Sequence, residues 1–385
     1  MKYKIIIAML FSIYIKSQDI YINIDNEDNL NIVPYKENII TAVQNLINNK
    51  NDIDFIFNQY TKDSQEKWGE KELARTIYNS GWYKKDPSYY KPTILGVIDI
   101  IPEKKYLIKI AYTSRDKGNN NSVQVIYNLI ANYNKLEKSI LFENYIDWYT
   151  KNWYTKKMGN ILFFKEEKNK FSIKQAKKFQ KKNKYFSKLF NVPVKDIVYY
   201  SCKDPIDLYK MKGFDYVPNM FYSRNGGLVY NGGNKKYYGN IIYSANNSEY
   251  YPHELAHFYI DDLVIGDKTS RIANEGIATY IGGSSIFPYE HHLKSLYKYI
   301  KKNNNYNLID FLKEDSLVMI DSDTSTLYAL GALISKLIFE KKGLDGWKIF
   351  LNVPEEDVEK VIIELLGIEK NKLNIYLLEE LKKYE

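Results

Sequence analysis

The run His253-Glu254-Leu255-Ala256-His257 places two imidazoles and one carboxylate at a spacing that suits metal chemistry. On an α-helix, residues four apart lie one turn apart on the same face, so both imidazoles can bind one ion. Glu254 follows the first histidine, and its carboxylate can accept a proton from a water beside that ion. A catalytic zinc takes three protein ligands and keeps a fourth position for water. The run therefore predicts a zinc site that still needs one ligand. The alternative is an amphipathic helix with two half-buried histidines.

The residues that directly follow this run do not supply the third ligand. Zinc sites of one other class add a histidine shortly after a glycine, but the stretch from Phe258 to Leu263 contains neither residue type. Asp261 lies one turn past His257, about 5.4 Å further along a continuous helix. We expect Asp261 to face solvent or to lie behind the ligands, and the ligand must come from further along the chain.

Glu275 is the better candidate for the third ligand. The 17 residues between His257 and Glu275 allow the first helix to end near Gly266 and a short loop to follow. A second helix would then begin near Thr269 or Ser270 and stop at Gly282-Gly283, a common glycine termination. Two neighbouring helices could present the two histidines and this glutamate to one point.

These residues resemble the metal-binding pattern of the gluzincins, zinc peptidases of the thermolysin and aminopeptidase N type. In that family HExxH is followed, after a slightly longer gap, by a glutamate that often stands in Asn-Glu-Gly, as in Asn274-Glu275-Gly276 here. The resemblance implies that His253, His257 and Glu275 bind Zn2+ and that Glu254 is the general base. It also implies hydrolysis of peptide bonds by a zinc-activated water.

Two further positions extend the resemblance beyond the ligands. Tyr328-Ala329-Leu330-Gly331 matches a Tyr-x-x-Gly segment that opens a helix in aminopeptidase-N-like enzymes. There the tyrosine hydroxyl steadies the oxyanion, so the resemblance implies this role for Tyr328. A packing tyrosine is the alternative in a chain that has 37 of them. Thr279, one turn past Glu275, matches a polar residue that supports a ligand histidine in thermolysin-like enzymes.

The stretch from Gly226 to Gly233 bears on the substrate. Aminopeptidases of the family carry a glutamate there that binds the free amine of the substrate, but this stretch has no acidic residue. The resemblance therefore favours cleavage within a peptide chain. Leu228–Asn231 is predicted to be the edge strand that pairs with an extended substrate. Two other functions stay open: a secreted binding protein with a structural or vestigial zinc site, and zinc chemistry on a glycan or small molecule.

The N-terminus has the pattern of a secretory signal. Lysines precede an apolar run from Ile5 to Ile15, which is too short to span a bilayer. We expect residues 1–18 to be removed and the protein to be secreted or periplasmic, although a buried N-terminal strand or helix is the alternative. Cys202 is the single cysteine, which excludes an internal disulfide, and it is predicted to be a small packed residue. No later segment is apolar enough to predict a membrane span.

The charge of the chain excludes few partners. The formal net charge is +8, which is a mild excess for this length. Lysines cluster between positions 177 and 184 beside Phe179 and Phe186, a pattern typical of a solvated helix face. We therefore expect a peptide or protein substrate and no nucleic-acid partner.

Length and residue patterning predict two domains and an α+β fold. Residues 19–150 should form a small α+β domain, with helix across 36–80. Its strands are predicted at 93–101, 105–113 and 123–133. Residues 151–385 should form the gluzincin-like domain, with the sheet and zinc helices in 151–283 and a helical lobe in 284–385.

Local signals inside the second domain place the helix that carries the metal motif. Asn246-Asn247-Ser248 is predicted as its N-cap region and Pro252 as part of its first turn. His291 and His292 fall in the helical lobe. Because an adjacent pair points two ways on a helix, both are predicted to lie at the surface. The other predicted elements are strands at 160–166, 196–201 and 240–245 and helices at 172–189 and 204–211.

Overall fold

The computed structural model of the chain describes residues 23–24, 33–70, 72–74, 90–115, 121–221, 226–231, 239–266, 269–303, 307–312 and 318–385. Helices and strands are mixed among these residues, which confirms the α+β class. The predicted signal, residues 1–18, lies outside the described residues, as does the end of the predicted helical region, 75–80. The chain divides into two compact units.

Among the described residues, the first unit comprises those up to Gln65, Leu73–Tyr145 and Gly213–Tyr216. Its strands are β1 Asn23–Ile24, β2 Tyr90–Ile101, β3 Lys105–Arg115, β4 Asn121–Asn134, β5 Ser139–Glu143 and β9 Phe214–Tyr216. They form a sheet of order β1-β2-β3-β4-β5, in which β9 also pairs with β4. The β1–β2 pair is parallel, and the pairs β2–β3, β3–β4, β4–β5 and β4–β9 are antiparallel.

Where the structure describes the predicted helical region at 36–80, it is divided into short helices. They include α1 Lys36–Asn48, α2 Ile53–Asn58 and α3 Lys62–Trp68, and residues 72–74 are also helical. In α1 the apolar residues Ile39, Val43, Leu46 and Ile47 recur at helical spacing and are buried. Asp52 caps α2, since its side chain accepts a hydrogen bond from the Phe55 N–H at 2.9 Å.

The second unit comprises Glu66–Glu72, Ile146–Lys212 and Val217–Glu385. Its strands are β6 Tyr154–Met158, β7 Ile161–Lys165, β8 Ile197–Ser201, β10 Gly227–Asn231 and β11 Asn240–Ser244. They form a sheet of order β10-β11-β8-β7-β6, with parallel pairing from β11 through β8 to β7 and antiparallel pairing at both edges. The predicted edge strand is thus confirmed as the edge strand β10.

The helices of this unit cover the sheet and continue to the C-terminus. Helix α5 begins after Ser172, whose side chain accepts a hydrogen bond from the Gln175 N–H, and its Phe179 packs against Phe163 and Tyr199 of the sheet. The helices are α4 Tyr145–Thr150, α5 Ile173–Phe190, α6 Pro205–Met211, α7 Pro252–Ile260, α8 Arg271–Gly282, α9 Tyr289–Asn303, α10 Thr326–Leu351, α11 Val358–Leu366 and α12 Leu373–Lys382. No helix among the described residues is both long enough and apolar enough to cross a bilayer.

Helix α7, which carries the metal motif, differs at both ends from the prediction. Pro252 opens it, as predicted, but its N-cap is Tyr251 and not a residue of Asn246-Asn247-Ser248. It ends at Ile260 and continues only as a 3-10 turn to Leu263, so it is shorter than the predicted helix ending near Gly266. Asn246 Oδ1 instead accepts a hydrogen bond from the Gly226 N–H at 2.9 Å, and Asn247 Oδ1 accepts one from Lys165 Nζ at 2.8 Å. No local capping signal reveals these contacts with distant residues.

Two other residue predictions have clear outcomes. Cys202 is fully buried, as predicted. His292 is also fully buried, so the prediction that it lies at the surface was wrong. Its ring contacts Thr324 Oγ1 at 2.9 Å and the Ser284 carbonyl oxygen at 3.2 Å, and these two polar partners make burial of the imidazole tolerable.

Candidate metal centre

Helices α7 and α8 bring three potential metal ligands together. The Nε2 atoms of His253 and His257 are 3.3 Å apart. The Glu275 Oε2 atom lies 3.2 Å from His253 Nε2 and 3.7 Å from His257 Nε2. One donor atom from each residue lies within 4.8 Å of the others, which is compact enough for all three to bind one ion. The expected meeting of two helices at one point is therefore present.

The outer nitrogens of both histidines are held by oxygen acceptors. His253 Nδ1 lies 2.7 Å from the Gly283 carbonyl oxygen, and His257 Nδ1 lies 2.7 Å from Asn274 Oδ1. Because both partners accept, each Nδ1 carries the hydrogen and donates it. When His253 is protonated, its Nε2 donates a hydrogen bond to Glu275 Oε2. In the neutral rings, each Nε2 is left with a lone pair aimed at the centre of the cluster. This is the tautomer that a metal-ligating imidazole requires, so the donor set fits a divalent cation such as zinc.

Glu275 carries the negative charge of the ligand cluster. Burial raises the pKa of its carboxyl, but the hydrogen bond from His253 and the charges of His257, His253 and Arg271 outweigh burial and lower the pKa to about 2. Burial lowers the pKa of His253, yet the hydrogen bond and charge of Glu275 raise it overall. The glutamate is thus anionic and supplies the negative charge that a dication at this point would meet.

Glu254 is buried beside the ligands. The residue is 7 % exposed, and burial raises the pKa of its carboxyl, against the opposing charges of His253 and His257. The Tyr251 side chain makes a hydrogen bond to this carboxyl. A raised pKa moves a carboxylate toward the range in which it both accepts and returns a proton near neutral pH.

Strand β10 meets this carboxylate at its first residue. A Cβ on Gly227 would lie 2.5 Å from the Tyr251 ring and 2.9 Å from Glu254 Cγ. Only a residue without a side chain allows the strand to approach so closely. The edge of the sheet therefore begins directly beside the candidate base.

Glycines also set the distances between the helices of the site. A Cβ on Gly276 of α8 would lie 2.4 Å from the Gly331 carbonyl carbon of α10, and one on Gly282 would lie 2.7 Å from the His253 backbone nitrogen. The Asn-Glu-Gly and Tyr-x-x-Gly segments thus touch through their glycines. This contact places Glu275 and Tyr328 on neighbouring helices, both close to His253.

Tyr328 lies next to the ligands, in the first turn of α10. Ser325 caps this helix by accepting a hydrogen bond from the Tyr328 N–H, as expected for a tyrosine that opens a helix. The Tyr328 and His253 rings meet edge to face with centroids 5.8 Å apart. Asp261, in contrast, is exposed and belongs to the turn that follows α7.

The residues that support the ligands are mostly ones that the sequence did not single out. Thr279 is buried, but its hydroxyl has no hydrogen-bond partner among the described residues and is not bonded to a ligand histidine. Asn274 and the Gly283 carbonyl hold the imidazoles instead. Asn274 directly precedes Glu275 in the Asn-Glu-Gly segment, and this position was the one sequence signal that could have indicated its contact with His257. Because every residue has a backbone carbonyl, the residue type at position 283 could not indicate the contact with His253.

A second layer of contacts connects this support to Tyr328. In the segment after Gly283, the Ser284 N–H donates to the Phe287 carbonyl oxygen and the Phe287 N–H donates to the Ser284 carbonyl oxygen. His292 joins the Ser284 carbonyl to Thr324, which directly precedes the cap of α10. Burial lowers the pKa of His292 to about 4, so the ring is neutral at ordinary pH and can donate through one nitrogen while it accepts through the other.

Comparison with known proteins gives no relative. No protein-family model, no curated protein and no solved structure matches this chain. The resemblance to gluzincins therefore depends on the site residues and their arrangement.

Proposed function

We propose that this protein is a zinc-dependent metallopeptidase of the gluzincin type. The observation that carries the proposal is the convergence of His253, His257 and Glu275, with both imidazole Nδ1 atoms already bonded to oxygen acceptors. A cluster formed by chance on a helix face would not need both rings fixed in the metal-binding tautomer.

Zinc bound by these three residues would act as a Lewis acid that lowers the pKa of a water and polarises a carbonyl group. Glu254 would accept a proton from the attacking water and pass it to the departing amine. Its burial and raised pKa suit both transfers. Tyr328 would donate a hydrogen bond to the carbonyl oxygen as negative charge develops on it.

The substrate we propose is an extended peptide cleaved at an internal bond. Strand β10 offers a sheet edge whose first residue touches Glu254, so a peptide paired with this edge would pass the candidate base. The stretch from Gly226 to Gly233 contains no carboxylate to bind a terminal amine. Secretion through the N-terminal apolar segment would give the enzyme access to extracellular peptides.

Metal analysis combined with a peptide-library cleavage assay tests the proposal. The purified protein should hold about one zinc per chain, cleave internal peptide bonds, lose this activity with a chelator and regain it with added zinc. Zinc without cleavage would support a structural zinc site in a binding protein. Hydrolysis of glycans or small esters without peptide cleavage would show that the zinc site acts on a substrate other than peptides. Absence of zinc binding would contradict the proposal altogether.

A further inference from the structure

Helix α5 carries almost the whole positive excess of the chain. Its 18 residues, Ile173–Phe190, include seven lysines and no Asp or Glu. Without these seven, the 55 Lys and Arg residues of the chain fall to 48, against 47 Asp and Glu. The charge of this one helix, +7, is thus nearly as large as the +8 of the whole chain.

Six of these lysines occupy the same face of the helix. At about 100° per residue they occupy an arc of about 120° on the helix, and all six are exposed. The buried residues of α5 lie on the opposite side and hold the helix against the unit. The six are Lys174, Lys177, Lys178, Lys181, Lys184 and Lys188, which we call the lysine face.

The lysine face has no acidic partner. No carboxylate of the described residues lies within 4.0 Å of an α5 ammonium group, whereas Lys165, Lys170 and Lys195 all have such partners. The seventh lysine, Lys182, is half-buried, and burial together with the charge of Lys178 lowers its pKa. Like charges so close together disfavour the folded state by a small amount, which an anionic partner would reverse.

The lysine face is directed away from the metal centre. Tyr259, on the side of α7 opposite the ligand histidines, donates a hydrogen bond to the Asn183 carbonyl oxygen at 3.0 Å and packs against Phe186. Since Asn183 and Phe186 belong to the buried side of α5, the lysines lie on the far side from α7. A partner bound there would leave His253 and His257 accessible.

We propose that the lysine face docks on a membrane surface that contains anionic lipids. The six lysines span about 20 Å along the exposed side of one helix, and Lys178 Nζ lies 4.0 Å from the centroid of the Tyr250 ring. An exposed, convex helix face suits a flat surface better than a strand held in a groove. The lysine face has no arginine, so it supplies hydrated point charges and not the planar fork that selects single phosphates. Tyr185 is 51 % exposed within the same arc, and tyrosine favours the headgroup level of a membrane.

Vesicle co-sedimentation of the full chain tests this inference without using the metal or a peptide. We expect binding to vesicles of phosphatidylcholine with one-third phosphatidylglycerol, weakening with added salt, and no binding to phosphatidylcholine alone. The triple variant K177Q/K181Q/K184Q should bind on the order of 100-fold more weakly. The matched control K294Q/K298Q/K302Q removes the same charge from exposed positions of α9 and should stay within about two-fold of the unmodified protein.

Three results would overturn the proposal. They are no binding to the anionic vesicles at low salt, an equal loss in the α5 and α9 variants, and tight binding of a single-stranded oligonucleotide with none to vesicles. Zinc content of each variant is measured in parallel. Normal zinc with no vesicle binding would reject the membrane surface alone, and vesicle binding without zinc would reject only the metallopeptidase.

Discussion

Gly276 and Gly331 face each other at the crossing of α8 and α10, so closely that a Cβ on Gly276 would lie 2.4 Å from the Gly331 carbonyl carbon. The two helix backbones can approach so closely only because neither residue at the crossing has a side chain. Glu275 directly precedes one glycine, and Tyr328 lies three residues before the other. The crossing therefore fixes how near the third ligand and the candidate oxyanion donor come to each other.

Gly276→Ala should destabilise the protein and weaken zinc binding. The added methyl group meets backbone atoms, which cannot rotate away, so the helices must move apart at a cost of about 1–3 kcal/mol. This loss would appear although alanine favours a helix by up to about 1 kcal/mol over glycine. Urea unfolding and zinc titration would measure the two effects.

Gly96→Ala is the matched control, because a Cβ there has nothing within 4 Å. Its unfolding midpoint and zinc affinity should stay close to those of the unmodified protein. If Gly276→Ala were as stable as Gly96→Ala, the close crossing would not be what sets the site.

The ligand cluster could be predicted from the sequence because each signal that indicates it involves residues close together in the chain. His253 and His257 share a helix face by spacing alone, and Ser270 and Gly283 mark the ends of the helix that carries Glu275. Each of these signals acts within one turn of helix. The second helix accordingly begins and ends where the sequence indicates.

The parts that could not be predicted depend on contacts between distant residues. The Gly283 carbonyl that orients His253 has no side-chain signature. The burial of His292 depends on Thr324, which is 32 residues away. Strand β9, Phe214–Tyr216, joins the first unit's sheet although the residues before and after it belong to the second unit. Three residues carry no periodic pattern that would indicate such an exchange.

Glu254→Gln should retain zinc and lose turnover. The amide has nearly the shape of the carboxylate, but it cannot accept the proton of the attacking water, so kcat should fall by about 10²–10⁴-fold. Zinc content and peptide cleavage measured on the same sample would separate binding from catalysis. Glu290→Gln, at an exposed glutamate of α9, controls for the loss of one charge. Full activity in Glu254→Gln would end the assignment of the base.

Asn274→Leu should weaken zinc binding while leaving all three ligands in place. The substitution removes the oxygen that accepts the His257 Nδ1 hydrogen at 2.7 Å, so the ring loses both its orientation and its tautomer preference. Loss of such a partner usually lowers metal affinity by about 10–100-fold. Asn274→Asp keeps an acceptor at the same position and should retain most of the affinity. Equal losses in both variants would point to packing at position 274 instead of hydrogen bonding.

His292 should make the stability of the protein fall as the solution is acidified. Burial lowers its pKa from the ordinary 6.5 to about 4 in the folded chain, so the unfolded chain binds a proton between these values that the folded chain does not. The free energy of unfolding should therefore be at its full value above about pH 6.5 and decline toward pH 4, by at most about 3 kcal/mol from this residue.

Urea unfolding of metal-free protein at several pH values between these limits would measure the decline. The difference between the unmodified protein and His292→Gln isolates this residue, because the glutamine amide can still donate to Ser284 and accept from Thr324 but does not titrate. His292→Gln should be the less pH-dependent of the two across this window, with His291→Gln as the control for loss of a neighbouring imidazole. Parallel profiles for the unmodified protein and His292→Gln would show that the buried ring takes up its proton as readily as it does in the unfolded chain.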